Sequence, residues 1–285
     1  MHFVGRSGDT KLTPHPVYAG HSQGYTYASL VDHSRGSVHT GLSLNQLIAG
    51  GTVSPHMHSF EEGFYILEGY AEVSIQDRAW VLGPGDFGAF KVGTLHEWRH
   101  AGDKPVGWLQ MAAPQPKPHG KGRDTFFGKR LRISGAARPL DLSDLRGDLL
   151  GHFDASQIPP PGEWSAGPVG PGLFLRSLID EQFGARHHRM LFLEYQPGAS
   201  IALHDHTFEE AYFVLSGQVE ATLDGKHYLA KTGDVVWTGV GCVHAFANAG
   251  PEPARWLETF SPQPPAENVF RFSAEWEQRA KELEE

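Results

Sequence analysis

The chain has a single cysteine, Cys242, in 285 residues. One thiol cannot build a disulfide framework or a cysteine-rich zinc module. No run of about 18 apolar residues occurs, so no membrane-spanning helix is expected. Positive charge is in short supply: 24 Lys and Arg stand against 33 Asp and Glu, a formal charge of −9. That balance argues against nucleic acid or an anionic membrane as partner. The opening residues, Met1-His2-Phe3-Val4-Gly5-Arg6, lack a charged stretch followed by an apolar run, so no secretory leader is expected. A soluble, cytoplasmic protein is the expectation. Long helical patterns are also scarce. In their place stand 34 Gly and 20 Pro, which punctuate short strands and tight turns. Histidine is abundant, with 17 copies, as many as phenylalanine.

The sequence repeats itself. Gly50, His56, His58, Phe60, Glu61 and Glu62 recur as Gly198, His204, His206, Phe208, Glu209 and Glu210, 148 positions on. The same offset relates Gly69 to Gly217, Gly85-Asp86 to Gly233-Asp234, His96 to His244, and Pro114-Gln115-Pro116 to Pro262-Gln263-Pro264. Upstream it relates Ser29-Leu30-Val31-Asp32 to Ser177-Leu178-Ile179-Asp180, and His39 to His187. Residues 29–116 and 177–264 are therefore two copies of one unit, each long enough for its own core. The expected organisation is an N-terminal barrel over 1–118, a Pro/Gly-rich linker over 119–172, a C-terminal barrel over 173–266, and a helix over 267–285. Asp141–Leu145 offers at most a short helix inside the linker. Lys129, Arg130 and Arg132 of the linker have no assignable role.

Within each unit the apolar period is mostly two. Glu68–Asp77 reads as strand, turn and strand, and Ser216–Gly225 repeats it, with Asp224-Gly225 as a hairpin turn. Only the C-terminus reads as helix, capped by Ser273, with Trp276, Ala280 and Leu283 on one face. The fold class is all-β: two tandem jelly-roll barrels with a short C-terminal helix.

His56-x-His58 places two imidazoles on one side of a strand. Glu62 follows after a bend, and His96 comes from a later strand. His204, His206, Glu210 and His244 repeat the set at identical spacing. Three neutral imidazoles and a carboxylate suit a divalent first-row metal and leave coordination positions open. The pattern resembles the cupin superfamily, whose first motif is G-x5-H-x-H-x3-E-x6-G. Gly50, His56, His58, Glu62 and Gly69 fit it, as do Gly198, His204, His206, Glu210 and Gly217. The second motif, G-x5-P-x-G-x2-H-x3-N, is met by Gly85, Gly93 and His96, and by Gly233, Gly241, His244 and Asn248. Lys91 and Gly239 replace its proline, and His100 replaces the asparagine in the first copy. The resemblance covers about two-thirds of the chain and implies a bicupin. It implies one metal per barrel, with Fe, Mn or Ni favoured over Zn, Co or Cu.

Strand alternation places Ser54, Phe64, Trp98 and His100 on the pocket wall of the first copy. It places Ala202, Tyr212, Phe246 and Asn248 on that of the second. Tyr212 is singled out because a phenol beside a metal can donate a proton, and Glu62 or Glu210 can serve as base. His39 and His187 are candidates for contact with the site or its substrate. The Arg186-His187-His188-Arg189 cluster reads as a solvated strand end, and Cys242 as a buried filler.

The resemblance implies, first, a dioxygenase acting with O2 on a small aromatic or enol-type substrate. The alternative is a hydrolase or decarboxylase of a small polar metabolite, like ureidoglycine aminohydrolase or oxalate decarboxylase. The oxalate decarboxylase reading is less favoured, because no arginine precedes either first histidine. A third reading is a non-catalytic binding protein. Association into a homo-oligomer through barrel edges fits any of the three.

Overall fold

The computed structural model describes residues 1–118, 120–128, 131, 133–161, 170–263 and 271–284. Lys129, Arg130, Arg132, Gly162 and Pro264 lie outside the described residues. The first half contains β1 (His2–Gly5), β2 (Ser22–Val31), β3 (Gly41–His58), β4 (Glu61–Glu68), β5 (Tyr70–Ile75), β6 (Arg78–Leu82), β7 (Asp86–Phe90), β8 (His96–Ala101) and β9 (Val106–Ala113). Between the repeats lie β10 (Thr125–Phe127), β11 (Arg138–Pro139) and β12 (Leu149–His152). The second half contains β13 (Leu173–Ile179), β14 (Arg189–Tyr195), β15 (Ser200–Asp205), β16 (Glu209–Ser216), β17 (Gln218–Leu223), β18 (Lys226–Lys231), β19 (Val235–Thr238), β20 (His244–Ala247), β21 (Ala254–Ser261) and β22 (Arg271–Phe272). The helix α1 spans Ser273–Glu284. The side chains of Trp276, Ala280 and Leu283 lie outside the described residues. Among the described residues no helix is long and apolar enough to cross a membrane.

The architecture is all-β. The long strand β3 explains how the first barrel closes. Its first half pairs with β2 and β9, and its second half with β8. One strand thus runs through both walls, and a single sheet curls around the interior. In the second barrel the same path is broken into β14 and β15, which lie in two sheets. Alternation then sorts the side chains. On β9, Trp108 and Gln110 face the barrel interior, while Leu109 and Met111 face the other barrel. Leu109 and Met111 pack with Leu42, Tyr65 and Phe87 against Met190, Phe192, Phe213 and Leu257 of the second barrel. Each such buried side chain contributes about 1.5–3 kcal/mol of apolar burial, so the two barrels share a core.

Two further devices join the halves. Strand β1 leaves its own barrel and pairs with β19, His2 opposite Thr238. Glu61 and Glu209, one residue before the candidate metal-ligating glutamates, reach across reciprocally. The Glu209 carboxylate accepts from the Ser37 hydroxyl (2.6 Å) and from the backbone N–H groups of Val38 (2.7 Å), His39 (3.0 Å) and Thr40 (3.1 Å). The Glu61 carboxylate accepts from the N–H groups of Arg186 (3.0 Å) and His187 (2.8 Å), and lies 3.0 Å from Nδ1 of the fully buried His188. His188 also packs over Gly63, where a Cβ would come within 2.4 Å of Nε2. Only glycine leaves room there.

The segment between the repeats is more than a tether. β10 pairs with β3, β11 with β6, and β12 with β7. Asp141–Leu145 forms a turn, not the short helix that its sequence allows. The Asp141 carboxylate accepts from both the N–H and the hydroxyl of Ser143, a bonding pattern that favours a turn over helix.

Candidate metal centres

Each barrel gathers three imidazoles from two neighbouring strands and, in the second barrel, from the residue that follows one of them. His56 and His58 stand on β3, and His56 pairs in register with His96 of β8. His204 of β15 pairs with His244 of β20 in the same way. In each triad one ligand atom per residue lies within 4.8 Å of the other two, and all six histidines are buried. The outer nitrogens of five of them are committed. His56 Nδ1 lies 2.7 Å from the Ser54 carbonyl, His96 Nδ1 2.9 Å from that of Thr94, and His58 Nδ1 3.1 Å from the Thr125 hydroxyl. His204 and His244 bond the carbonyls of Ala202 (2.7 Å) and Cys242 (2.9 Å). Donation from Nδ1 to a carbonyl fixes the tautomer and turns the Nε2 lone pair inward, as metal-ligating histidines require.

The glutamates complete the sets. Glu62 Oε2 lies 3.0 Å from His58 Nε2 and 3.9 Å from His96 Nε2. Glu210 lies 3.2 Å from both His206 Nε2 and His244 Nε2. Around the first cluster His58 Nε2, His96 Nε2 and both Glu62 oxygens are buried without a hydrogen-bond partner among the described residues. Such orphaned groups cost about 1–3 kcal/mol each. A divalent cation held by all four would satisfy them at once, so the residues fit a metal.

The surroundings differ. Tyr212 donates to Glu210 Oε2 at 2.5 Å, and Thr238 lies 3.4 Å from the same oxygen. The matching positions in the first barrel are Phe64 and Phe90, which can donate nothing. Phe90 instead stacks on His96, with centroids 3.9 Å apart. The electrostatics follow. Burial pushes the Glu62 carboxyl up to about 7, only partly opposed by His56 and His188. Burial also opposes charge on Glu210, but His206, His244 and the Tyr212 hydroxyl pull it down to about 2. Burial depresses His56 to about 4 and His58 to about 3, so both imidazoles are neutral above that range.

A pH dependence is expected. Below about 7 the free Glu62 carboxyl holds a proton that a cation must displace. In His206→Ala protein, where the first cluster is the one left intact, cation affinity should fall about tenfold per pH unit below 7. Calorimetric titration with Mn2+ at pH 7.5, 6.5 and 5.5 checks this; equal affinities at all three would contradict it.

A chamber of about 260 Å³ adjoins the first cluster. It lies on the interior face of the β2–β3–β9 sheet, where Ser43 pairs with Gln110 and Tyr27 with Asn45. The ligating residues do not line it themselves. Tyr18, Phe60 and Thr125 do. The Tyr18 ring meets His56 edge-on at 5.1 Å, and Phe60 stacks on His58 at 4.3 Å. Ala112, opposite Glu62 in register, also lines it. The second barrel puts Leu191, Leu193 and Phe260 where the first has Ser43, Asn45 and Ala112. These three are packed into its core.

The remaining sequence candidates fall in several places. Phe64 and Trp98 are fully buried, with Trp98 stacked on Trp108 at 4.6 Å. Phe246 packs on Tyr212 at 4.6 Å. Ser54 and Ala202 contribute carbonyls to ligand histidines. Asn248 closes a turn, bonding the carbonyls of Tyr195 and Glu252 and the N–H of Gly250. His100 sits at a strand end, 2.7 Å from the Lys104 carbonyl, away from the cluster. His39 and His187 stand at the barrel junction, where their N–H groups serve Glu209 and Glu61. Cys242 is buried.

Sequence reasoning missed Tyr18, Thr125 and Phe127. β10 lays Phe127 opposite His56, and β22 lays Phe272 opposite His204. Both clusters are thus edged by a strand from outside the repeated unit.

Two barrels sharing a core, each with a buried triad of histidines and an adjacent glutamate, define a tandem-barrel protein with two metal-capable centres. The cupin domain model matches residues 44–111 and 191–260. The chain belongs to the cupin superfamily and is a bicupin. None of the curated proteins matches it. Among solved structures it is similar to Lactobacillus farciminis oxalate decarboxylase in a formate complex, with 17% identity over 98% of this chain and 90% of that one, TM-score 0.65. It is also similar to Bacillus subtilis oxalate decarboxylase at pH 4.6, with 17% identity over 99% and 82% and TM-score 0.63. A further Bacillus subtilis oxalate decarboxylase structure, described by its Mn(II) centres, matches at 18% identity over 97% and 80%, TM-score 0.62.

Proposed function

We propose that the chain is a metal-dependent enzyme that decarboxylates a small carboxylic acid, and that the first barrel is its working site. The observation that carries this is the chamber beside the His56–His58–His96 cluster, against the filled interior of the second barrel. All eight candidate ligands, His56, His58, Glu62, His96, His204, His206, Glu210 and His244, would hold one cation per barrel. The solved structures named above, 80–90% of whose length this fold covers, are oxalate decarboxylases, which supports decarboxylation over the dioxygenase expected from sequence. Their Mn(II) centres favour manganese here.

A divalent cation in the cluster would polarise a substrate oxygen as a Lewis acid. The chain supplies the rest. In decarboxylation the bond from carbon to the carboxylate breaks, CO2 leaves, and the carbon takes up one proton. Glu62 in the cluster and the Tyr18 hydroxyl on the adjoining chamber wall are the groups that would hand over that proton. Burial holds Tyr18 well above its ordinary range, so its hydroxyl stays protonated. The Phe60, Phe64, Phe90 and Trp98 rings surround the cluster with apolar surface, which strengthens local electrostatics.

A second reading, dioxygenation of an aromatic or enol-type substrate, is favoured by the aromatic chamber wall. Gas exchange separates the two. The decarboxylase reading expects CO2 release from small carboxylic acids under strict anaerobiosis by manganese-loaded protein, abolished by His58→Ala. O2 uptake matched to turnover, with none under nitrogen, would replace it with the second reading.

A further inference from the structure

We propose that the first-barrel chamber binds a planar ring compound bearing hydroxyl or carbonyl oxygens and at most one negative charge, and not a small dianion. This rests on the first barrel being the working site and narrows its substrate class.

The chamber wall is built for a ring. Tyr18, Tyr25, Tyr27 and Phe60 line it, and flat aromatic faces pack best against a flat partner. Its volume of about 260 Å³ sits just below the ~300 Å³ where pockets for drug-sized ligands begin. Three neutral side chains on the wall, Tyr18, Ser43 and Gln110, offer donors in search of acceptors. Tyr18 is 6% exposed, and its hydroxyl has no partner among the described residues. The Gln110 carbonyl oxygen lies 3.4 Å from the Trp108 indole nitrogen, which leaves the Gln110 amide N–H groups unpartnered among the described residues. The Ser43 oxygen accepts from Asn45 at 3.0 Å and keeps its own proton to give. Donors held in a partly dry wall favour a ligand that offers oxygen acceptors.

The charge on the wall disfavours a dianion: two carboxylates, Asp32 and Asp124, line it beside the His15 and His33 imidazoles. Among the described residues no arginine lines the chamber, and its lysine, Lys117, turns its ammonium to the Arg123 carbonyl at 3.3 Å. Asp124 lines it and is 8% exposed, with its carboxylate accepting from the Lys117 N–H at 2.5 Å. A dianion would enter beside this carboxylate without a guanidinium to pair it. A ring with one carboxylate or enolate can turn that group to the cation-holding side and leave an uncharged body against the tyrosines.

The second barrel supplies two of the substitutions. Ala112→Phe and Ser43→Leu install the residues that fill its interior, and Gln110→Leu removes a donor at nearly constant size. The test is calorimetric titration of manganese-loaded full-length protein with 2-hydroxybenzoate, 4-hydroxybenzoate and oxalate, with metal content measured on every variant. The hydroxybenzoates should bind. Their affinity should drop at least tenfold in Ala112→Phe and several-fold in Gln110→Leu, with the metal content unchanged. Oxalate should show no binding at millimolar concentration, in the unaltered protein or in any of the three variants. Hydroxybenzoate binding that Ala112→Phe and Ser43→Leu leave intact would overturn the proposal, as would no hydroxybenzoate binding at millimolar concentration. Should Ala112→Phe fail to fold, Gln110→Leu and Ser43→Leu decide. Oxalate binding and turnover by the unaltered protein would sink the ring proposal while leaving the decarboxylase reading standing. Full ring binding in protein whose first cluster takes up no metal would do the reverse.

Discussion

Replacing His58 with alanine is expected to release one of two bound divalent cations, and His206→Ala the other. The reason is geometric. Each triad pairs two histidines in register across neighbouring strands, and five of the six Nε2 atoms are aimed by a bond at Nδ1. Removing one imidazole leaves two, and affinity should fall by at least a hundredfold, given that disturbing an outer partner alone costs about 10–100-fold. Elemental analysis of purified wild-type and variant protein should give two, one and one cations per chain. The double variant should carry none. Thermal stability should follow, because a ligand that binds only the folded chain stabilises it by mass action, by about 4 kcal/mol at a thousandfold excess over Kd.

The second large effect concerns the junction. Glu209→Ala should destabilise the chain by about 2–4 kcal/mol, because a nearly fully buried carboxylate that accepts four hydrogen bonds disappears and its donors are stranded. For a chain of this size that is a drop of roughly 5–12 °C in the melting temperature. Glu61→Ala should act alike, since it strands two N–H groups and the buried His188. Both sit next to a glutamate proposed as a metal ligand, so each variant should also weaken cation binding at the following residue's site. Differential scanning fluorimetry with and without Mn2+ measures both effects. A melting temperature within 1 °C of wild type (~0.3 kcal/mol) would show that the reciprocal contact contributes little.

The clusters were legible because the chemistry repeats. His56, His58, Glu62 and His96 recur at one offset, and imidazoles two apart on a strand must share a side. The division into two units was legible on the same ground. What escaped the sequence has a common cause. Phe127 and Phe272 occupy matching places against His56 and His204, yet they are 145 positions apart, not 148, so a fixed-offset comparison passes over them. Strand β1 crosses to the other barrel through backbone pairing, which side-chain pattern does not encode. His39 and His187 illustrate the same limit. Their pairing in the repeat drew attention to the imidazoles, whereas the contacts with Glu209 and Glu61 are made by their N–H groups. Parity placed Phe64 and Trp98 inside correctly, but could not tell that they are packed core while Tyr18, from a segment before the repeat, faces the chamber. His100 shows parity failing at a strand end, where the chain turns away.

The difference between the barrels was present in the sequence and needed the structure to acquire meaning. Ser43, Asn45 and Ala112 against Leu191, Leu193 and Phe260 are ordinary strand substitutions until register places all six on interior faces. So is Phe64 against Tyr212. Together they give two clusters of one residue set with different neighbours, one beside a chamber and one with a hydrogen-bonded glutamate.

The central claim is that both clusters are metal centres. Anomalous diffraction from crystals of the full chain grown with Mn2+ tests it most directly. The account predicts two manganese peaks, one within about 2.0–2.3 Å of the His56, His58 and His96 Nε2 atoms and of Glu62, the other equally placed among His204, His206, His244 and Glu210. Triads without a peak, or manganese bound only at surface carboxylates, would contradict it.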